Sequence, residues 1–264
     1  MEVIIRPNPD AAARLAAGLI AKDLRANPHL VLGLATGRTM ESVYHLLAGM
    51  HREERLDFSL CRTFNLDEYV GLPPDDPRSY RHYMDEHLFR HVNVDPRNTH
   101  LPNGMAKDLD KECEKYEHAI QRFGGIDLQM LGIGRAGHIG FNEPLSAFKS
   151  RTRVKALAPL TLEQNAEFFG GANKVPRRAI TMGVGTILDS RRALLLATGT
   201  DKAEIIAKAV EGPITSMISA TALQLHARCT VVVDEAAASR LAGSEYYRRI
   251  FATEPEWEEF RNAE

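Results

Sequence analysis

Cysteine is scarce in this sequence, and long hydrophobic runs are missing. The 264 residues include three cysteines, Cys61, Cys113 and Cys229, which are widely spaced and form no CxxC pair. This pattern excludes a disulfide framework and a structural zinc site, and it predicts a reducing, cytoplasmic location. No stretch approaches the roughly 20 apolar residues that span a bilayer, so we expect no membrane partner. The N-terminal residues MEVIIRPNPD indicate a short strand ended by Pro7 and not a signal peptide.

An excess of either charge is also missing. Lys and Arg total 33 and Asp and Glu total 35, which gives a net charge of −2. Because a near-neutral chain has no basic excess with which to hold a phosphate backbone, we expect no nucleic-acid partner. Hydrophobic residues make up 44% of the chain, which is enough to form a sizeable core and excludes disorder. The sequence has no internal repeat and no low-complexity linker, so we predict a single domain over residues 1–264.

Apolar runs alternate with stretches of helical periodicity along most of the chain. The predicted strands are Val3–Ile5, Leu30–Leu34, Thr63–Asn65, Asp127–Ile133, Ala179–Met182, Ala193–Ala197 and Cys229–Val233. The predicted helices are Asp10–Asn27, Met40–Met50, Arg81–Val92, Lys107–Phe123 and Asp201–Val210. Apolar strands separated by such helices predict an α/β fold, in which a mostly parallel sheet is covered by helices on both faces. The polar stretch of residues 162–178 is predicted to be a surface loop or, alternatively, a mobile lid.

Open parallel sheets bind ligands outside the carboxyl ends of their strands, and the first candidate site lies at such an end. Thr36, Gly37, Arg38 and Thr39 lie between a predicted strand and a predicted helix. Backbone N–H groups, two hydroxyls and a guanidinium at a helix N-terminus could together hold a phosphate. The spacing is neither that of a Walker A loop nor GxGxxG, so a dinucleotide is not expected. A glycine turn of this kind also occurs without a ligand.

Charged side chains follow two other predicted strands. Asp67 and Glu68 are adjacent, so one could act as a general base while the other makes a structural hydrogen bond. The alternative is a solvated strand end. Lys202 follows Gly199 in what is predicted to be the first turn of a helix, where the helix dipole disfavours a cation. An anionic ligand would explain this lysine, and a solvated side chain is the alternative.

The most informative run is the glycine-rich segment of residues 132–144. It contains His138, and Glu143 follows five residues later. A carboxylate partner determines which imidazole nitrogen carries the proton, so this pair could serve acid–base chemistry. The alternative is a structural histidine. His87 and His91 are four residues apart but lack the glutamate of an HExxH motif, so we assign no metal site.

Taken together, these segments resemble the glucosamine-6-phosphate deaminases from Val31 to about Tyr247. The most specific matches are TFNLDEYVGLP at residues 63–73, GHIGFNEP at 137–144 and LQLH at 223–226, with SRT at 150–152 and MGVGT at 182–186. The resemblance implies a doubly wound sheet of the type shared with ribose-5-phosphate isomerase and 6-phosphogluconolactonase. It also implies a reaction, without metal or organic cofactor, in which glucosamine 6-phosphate and water give fructose 6-phosphate and ammonia.

The resemblance implies a role for each matching residue. His138, helped by Glu143, would assist opening of the pyranose ring, and Asp67 would move a proton from C2 to C1 of the open sugar. Glu68 would be structural. The phosphate of this small-molecule partner would be held by Thr36, Gly37, Arg38, Thr39 and Lys202.

Some relatives are hexamers activated by N-acetylglucosamine 6-phosphate. The resemblance therefore implies a homo-oligomer and an allosteric site at the matching positions, which are Ser146, Arg153, Lys155 and Tyr247. The alternative is that Arg153 and Lys155 lie on a solvated strand or loop.

Two departures from the family pattern bear on activity. Ala136 stands where relatives carry Asp or Asn, so His138 would depend on Glu143 alone. Glu167 stands where many relatives carry a phosphate-binding Arg, while Arg38 stands where many carry a glycine. We hypothesise that Arg38 replaces the missing arginine. The alternatives are a deaminase for another amino-sugar phosphate, a 6-phosphogluconolactonase-like lactone hydrolase and a non-catalytic sugar-phosphate sensor, and the Asp67-Glu68 and GHIGFNEP runs favour the deaminase.

Overall fold

The computed structural model describes residues 1–261. Its strands are β1 (Glu2–Arg6), β2 (Val31–Leu34), β3 (Arg62–Asn65), β4 (Asp67–Tyr69), β5 (Thr99–His100), β6 (Leu128–Leu131), β7 (Arg153–Ala156), β8 (Arg178–Thr181), β9 (Arg192–Ala197) and β10 (Cys229–Asp234). Its α-helices are α1 (Pro9–Ala26), α2 (Arg38–Glu54), α3 (Tyr80–His87), α4 (Leu109–Arg122), α5 (Pro159–Phe169), α6 (Val184–Leu188), α7 (Ala203–Val210), α8 (Glu235–Ala238), α9 (Ser244–Thr253) and α10 (Glu258–Arg261). None of the helices within these residues is long and apolar enough to cross a membrane.

Seven strands form the central sheet in the order β1-β10-β9-β6-β2-β3-β5, and every pairing in it is parallel. The chain runs outward from β2 through β3 to β5 and then returns to β6 on the other side of β2. This reversal makes the sheet doubly wound and places a switch point between β2 and β6. Every residue of β2, β6 and β10 is buried. Because alternate side chains point to opposite faces, both faces of the sheet are covered, as the sequence predicted.

A second, smaller sheet has the order β4-β8-β7 and is antiparallel. The strand predicted at residues 179–182 belongs to this sheet as β8, so its expected place in the parallel sheet is wrong. A short apolar run shows that a strand is buried but not which neighbour it pairs with. Strands β4, β5 and β7 are too short and too polar to be recognised from the sequence.

A separate apolar cluster joins the small sheet to α5. Its buried members are Tyr69, Phe141, Leu157, Leu162, Phe169, Val175 and Ala179. The stretch predicted as a surface loop is therefore partly helical and packed: α5 runs to Phe169 and ends at Gly170, whose φ of 67° lies in the left-handed region that glycine favours. Leu162 and Phe169 both point into this cluster, so the surface-loop interpretation is wrong. Whether the segment moves as a lid stays a prediction.

Candidate active site

The four segments singled out in the sequence meet at one edge of the central sheet. They follow the carboxyl ends of β9, β6, β2 and β3, which are consecutive neighbours. The switch point between β6 and β2 lies in the middle of this row. Doubly wound sheets form their ligand sites at such a point, because the loops on either side diverge and leave a crevice.

The segment after β2 presents the N-terminus of a long helix. Gly37 caps α2 with a φ of 120°, a conformation that favours glycine. The hydroxyl of Tyr83 donates to the Gly37 carbonyl at 2.9 Å, which ties the segment to α3. Arg38 and Thr39 occupy the first turn of α2, where backbone N–H groups have no partner inside the helix. This geometry suits an anion such as a phosphate.

Lys202 lies in a short 3₁₀ turn after β9, directly before α7 begins at Ala203. The expectation that it stands inside the helix is therefore wrong by one residue. Its side chain is 19% exposed and lies 3.7 Å from the Asp201 carboxylate. Burial lowers the pKa of Lys202, and the nearby charge of Arg135 lowers it further, against the opposing effect of Asp201. An anion between the two cations would relieve this repulsion.

Arg135 was not singled out from the sequence. It is an exposed residue in the turn after β6, close enough for its charge to affect Lys202. A cation inside a glycine-rich turn is a signal that could have identified it. Three strand ends in a row, those of β9, β6 and β2, therefore each carry a cation at this edge: Lys202, Arg135 and Arg38.

Asp67 is the first residue of β4 and is 6% exposed. Burial raises the pKa of its carboxyl group to about 8, with a further rise from the charge of Glu68 and a smaller opposing effect from the Phe141 backbone N–H. A carboxyl group with a pKa near neutrality is suited to accept and return a proton.

Glu68 has a different role from its neighbour. Its carboxylate accepts backbone N–H groups of Tyr69 at 2.8 Å, Tyr80 at 3.0 Å and Arg81 at 3.0 Å. Two of these donors belong to the first turn of α3, where an anionic group is favourable. Burial nevertheless raises the pKa of Glu68. The side chain thus fastens α3 to β4, which agrees with a structural role.

His138 and Glu143 form a pair within the glycine-rich segment. His138 Nδ1 lies 3.1 Å from Glu143 Oε2. The pKa of Glu143 lies below its usual range: burial raises it, but hydrogen bonds from His138 and Thr161 outweigh that effect. The ionised carboxylate only accepts hydrogen bonds, so Nδ1 carries the proton and Nε2 is left for a ligand. A Cβ on Gly134 would collide with the imidazole, which explains the glycine there.

The same segment also approaches Asp67, through Gly140. Gly140 has a φ of 55°, and a Cβ at this position would lie 3.3 Å from Asp67 Oδ2 and 2.9 Å from Thr181 Oγ1. The next residue, Phe141, donates its backbone N–H to Thr181 Oγ1 at 3.0 Å. The turn therefore packs directly on the base candidate.

Arg38 and Glu167, which both depart from the family pattern, contact each other. Arg38 Nη2 donates to Glu167 Oε2 at 2.6 Å, and the Arg38 guanidinium also lies over the Phe168 ring at 5.4 Å. An unpaired carboxylate at Glu167 would repel a phosphate, whereas here its charge is neutralised by Arg38. This pair joins the C-terminal end of α5 to the first turn of α2.

The proposed allosteric residues are only partly brought together. Arg153 Nη2 donates to Ser146 Oγ at 3.0 Å, and its Nη1 donates to Asn142 Oδ1 at 2.8 Å. Lys155 follows on the same strand, β7, which is an edge of the small sheet. Tyr247 lies on α9, which packs against β1 at the edge of the central sheet, and its hydroxyl donates to Glu211 Oε1 at 2.9 Å. The structure thus joins Ser146 to Arg153 and gives Tyr247 a different partner, and the allosteric site stays a prediction.

Residues 1–261 contain no group of three or more His, Cys, Asp or Glu side chains that could hold a metal ion. His91 Nε2 bonds instead to the Glu86 carbonyl at 2.7 Å, and the His87 ring packs on Tyr83. His226, from the LQLH run, is buried and bonds to the Ser190 carbonyl at 2.8 Å.

The fold and the site define a class: doubly wound α/β proteins with cationic and acid–base side chains at the switch point. Residues 8–232 match the family described as glucosamine-6-phosphate isomerases/6-phosphogluconolactonase, and the chain belongs to that family. It is 49% identical to a glucosamine-6-phosphate deaminase of Shewanella loihica, over 96% of this chain and 94% of the relative. It is 47% identical to the deaminase of an Arthrobacter species, over 98% of this chain and 99% of the relative.

Solved structures show the same relationship. The chain superposes on a monomeric glucosamine-6-phosphate deaminase with a TM-score of 0.89 and 45% identity, covering 91% of this chain and all of the other. A 6-phosphogluconolactonase of Trypanosoma cruzi superposes with a TM-score of 0.72 at 21% identity, covering 91% of this chain and 97% of the other. The second likeness shows the fold alone.

Proposed function

We propose that this protein is an enzyme of carbohydrate metabolism that converts glucosamine 6-phosphate and water into fructose 6-phosphate and ammonia. The observation that carries this proposal is the buried Asp67 carboxyl, with its pKa of about 8, beside the turn that contains the His138–Glu143 pair. The identities of 47 and 49% to named deaminases over nearly the whole chain support the same reaction.

The proposed reaction begins when the substrate phosphate binds at the edge of the central sheet that carries Lys202, Arg135 and Arg38. Backbone N–H groups of the first turn of α2, the hydroxyls of Thr36 and Thr39 and the ammonium of Lys202 hold it there. Because these groups follow the ends of β2 and β9, which lie on either side of β6, they orient the sugar across the switch point. The binding of the phosphate thereby positions the other end of the substrate at the acid–base groups.

His138 then exchanges protons with the sugar through Nε2, since Nδ1 is committed to Glu143. This opens the pyranose ring. The Asp67 carboxylate removes the C2 proton of the open chain as an enolamine forms, and the resulting acid delivers a proton to C1. Water then replaces the amine at C2, which releases ammonia. Positioned acid–base groups typically accelerate such steps by about 10²–10⁴-fold each.

The test is release of ammonia and fructose 6-phosphate from glucosamine 6-phosphate. Asp67→Asn should lower kcat by about 10²–10⁴-fold, because the amide cannot act as the base. In the unaltered enzyme, kcat/KM should rise with pH toward a midpoint near 8, the pKa of the Asp67 carboxyl before substrate binds. A folded protein that binds the sugar phosphate but releases no ammonia would contradict the proposal, and the other amino-sugar phosphates and 6-phosphogluconolactone would then be assayed.

Arg38 is proposed as the residue that replaces the lid arginine of relatives. Its guanidinium lies at the N-terminus of α2 and is already held by an anionic group, the Glu167 carboxylate. The substrate phosphate would displace that carboxylate. A charge-assisted hydrogen bond from Arg38 to the phosphate would then replace the similar one from Arg38 to Glu167.

Location and assembly also belong to the proposal. The cysteines Cys61, Cys113 and Cys229 are all free and buried, which supports a reducing, cytoplasmic location. We infer a homo-oligomer from the family resemblance, although one solved relative is described as monomeric. Sedimentation velocity decides this, because a single species of 29.4 kDa at micromolar concentration would contradict the oligomer. A titration with N-acetylglucosamine 6-phosphate that leaves rate and sigmoidicity unchanged would contradict the allosteric site.

A further inference from the structure

Glu143 uses its two oxygens for different partners. Oε2 faces His138 Nδ1, while Oε1 accepts the Thr161 hydroxyl at 2.6 Å and the Ala158 backbone N–H at 3.1 Å. Thr161 is 1% exposed and Glu143 4%, so water does not compete for either group. The short, buried bond from Thr161 is therefore an unusually well-defined constraint on the carboxylate.

Both donors to Oε1 come from the beginning of α5. Ala158 is the N-cap residue of this helix, and Thr161 is the third residue inside it. Ala158 has no side-chain oxygen with which to cap the helix. The Glu143 carboxylate accepts the backbone N–H of this N-cap residue and lies close to the positive end of the helix dipole. The start of α5 and the carboxylate of the acid–base pair thus hold each other in place.

We propose that Thr161 is a positioning residue for the reaction: its hydroxyl holds Glu143 so that Oε2 faces His138 and the imidazole keeps its proton on Nδ1. This inference rests on the proposed function and assigns a role to a residue that belongs neither to the proposed phosphate-binding groups nor to the acid–base groups. Ala136, which has no polar atom in its side chain, gives no second carboxylate to do this work. The orientation of His138 therefore depends on Glu143, and that of Glu143 on Thr161.

The chain supplies a matched control. Thr186 is also a buried threonine, and its hydroxyl donates to the Oε1 atom of another buried carboxylate, Glu117, at 2.6 Å. Glu117 is bonded to Thr152 and Arg151, which lie outside the acid–base turn. Thr161→Val and Thr186→Val thus remove the same kind of hydrogen bond, one inside the site and one outside it.

The first experiment compares steady-state rates for glucosamine 6-phosphate. Thr161→Val should lower kcat by about tenfold, the scale of one hydrogen bond to a charged group. Because only ring opening is affected, inhibition by the reduced open-chain amino-sugar phosphate should change less than about twofold. Thr161→Ser keeps the hydroxyl and should restore kcat, and Thr186→Val should leave it unchanged. A Thr161→Val enzyme with unaltered kcat would overturn the inference, as would an equal loss in the serine variant.

The second experiment does not depend on turnover. ¹⁵N NMR of the imidazole reports which nitrogen of His138 carries the proton. The unaltered protein and Thr161→Ser should show the Nδ1–H tautomer alone, and Thr161→Val a mixture. If the enzyme releases no ammonia while the tautomer shifts as expected, the reaction is wrong and the positioning role stands. If ammonia is released but the tautomer is the same in all variants, the positioning role is wrong and the reaction stands.

Discussion

The two ends of α5 each contact a hydrogen-bonded pair of side chains in the site, and the two pairs differ sharply in their surroundings. At the start of the helix, the side chains of His138 and Glu143 are 11% and 5% exposed. At its end, those of Arg38 and Glu167 are 68% and 78% exposed. A buried pair is held in one geometry by its hydrogen bonds, whereas an exposed pair contributes little stability and exchanges easily. The comparison therefore distinguishes a fixed acid–base pair at the start of α5 from an exchangeable pair at its end, where we propose that the phosphate binds.

The largest effect is expected at Asp67, which is buried like Glu143. Its carboxyl pKa is about 8 in the folded protein and 3.8 without burial, so the folded state holds a proton that the unfolded state releases between these values. Stability therefore falls as pH rises from about 4 to about 8, by up to about 1.4 kcal/mol per pH unit from this group. Asp67→Asn removes this dependence.

Chemical denaturation at several pH values checks the expectation. The stability gained by Asp67→Asn over the unaltered protein should widen from pH 5 to pH 8 and then level off. A gain in stability that does not depend on pH would show that the Asp67 carboxyl is not desolvated in the folded protein.

The second prediction concerns Glu143→Gln. The uncharged amide cannot fix the imidazole proton on Nδ1 in the same way, so kcat/KM should fall by about ten- to a hundredfold; spontaneous ring opening sets the floor. Glu117→Gln, at a buried carboxylate outside the site, is the control and should lower stability without lowering kcat/KM. Equal values of kcat/KM for the two variants would show that Glu143 has no role in the reaction beyond that of any buried carboxylate.

At the exposed end, Arg38→Ala should raise KM by at least roughly tenfold, since charge-assisted contacts to phosphate are worth roughly 1.5–3 kcal/mol. Stability should change by less than about 1 kcal/mol. Arg90→Ala, which removes an exposed arginine paired with Glu86, should leave KM unchanged. An unchanged KM in the Arg38 variant would mean that the phosphate is held without this guanidinium.

The smallest effect is expected for Glu167→Gln. Its carboxylate competes with phosphate for Arg38, so the variant should lower KM by about two- to fivefold, the scale of an exposed ion pair. A rise in KM would show that Glu167 contributes to substrate binding. The proposal that phosphate displaces Glu167 from Arg38 would then be wrong. Initial rates at constant ionic strength are required, because exposed charges are screened by salt.

The sequence predicted the parallel sheet well, because its strands are continuous apolar runs buried on both faces. Because these apolar runs also show where each strand ends, the sequence placed Asp67, His138 and Lys202 after strand ends. The small sheet was not predicted, since the three residues of β4 show no period and β8 resembles any other buried strand. Helix α5 was missed because it begins with Pro159 after an uncapped alanine and ends in a polar, glycine-rich stretch. The Arg38–Glu167 contact joins residues far apart in the chain, and only the paired change in the sequence hinted at it.

The order of the strands has a consequence for how the protein folds. The site is made from the ends of β2, β3, β6 and β9, so residues from Thr36 to Lys202 must all be in place before it exists. Parallel pairings between such distant segments form late and slowly, because the chain entropy of long loops is lost before the contacts form. If the phosphate binds as proposed, no fragment of the chain that ends before β9 should bind it as the intact sheet does. Protection of the chain by a sugar phosphate against proteolysis is therefore a measure of complete folding, available without any assay of turnover.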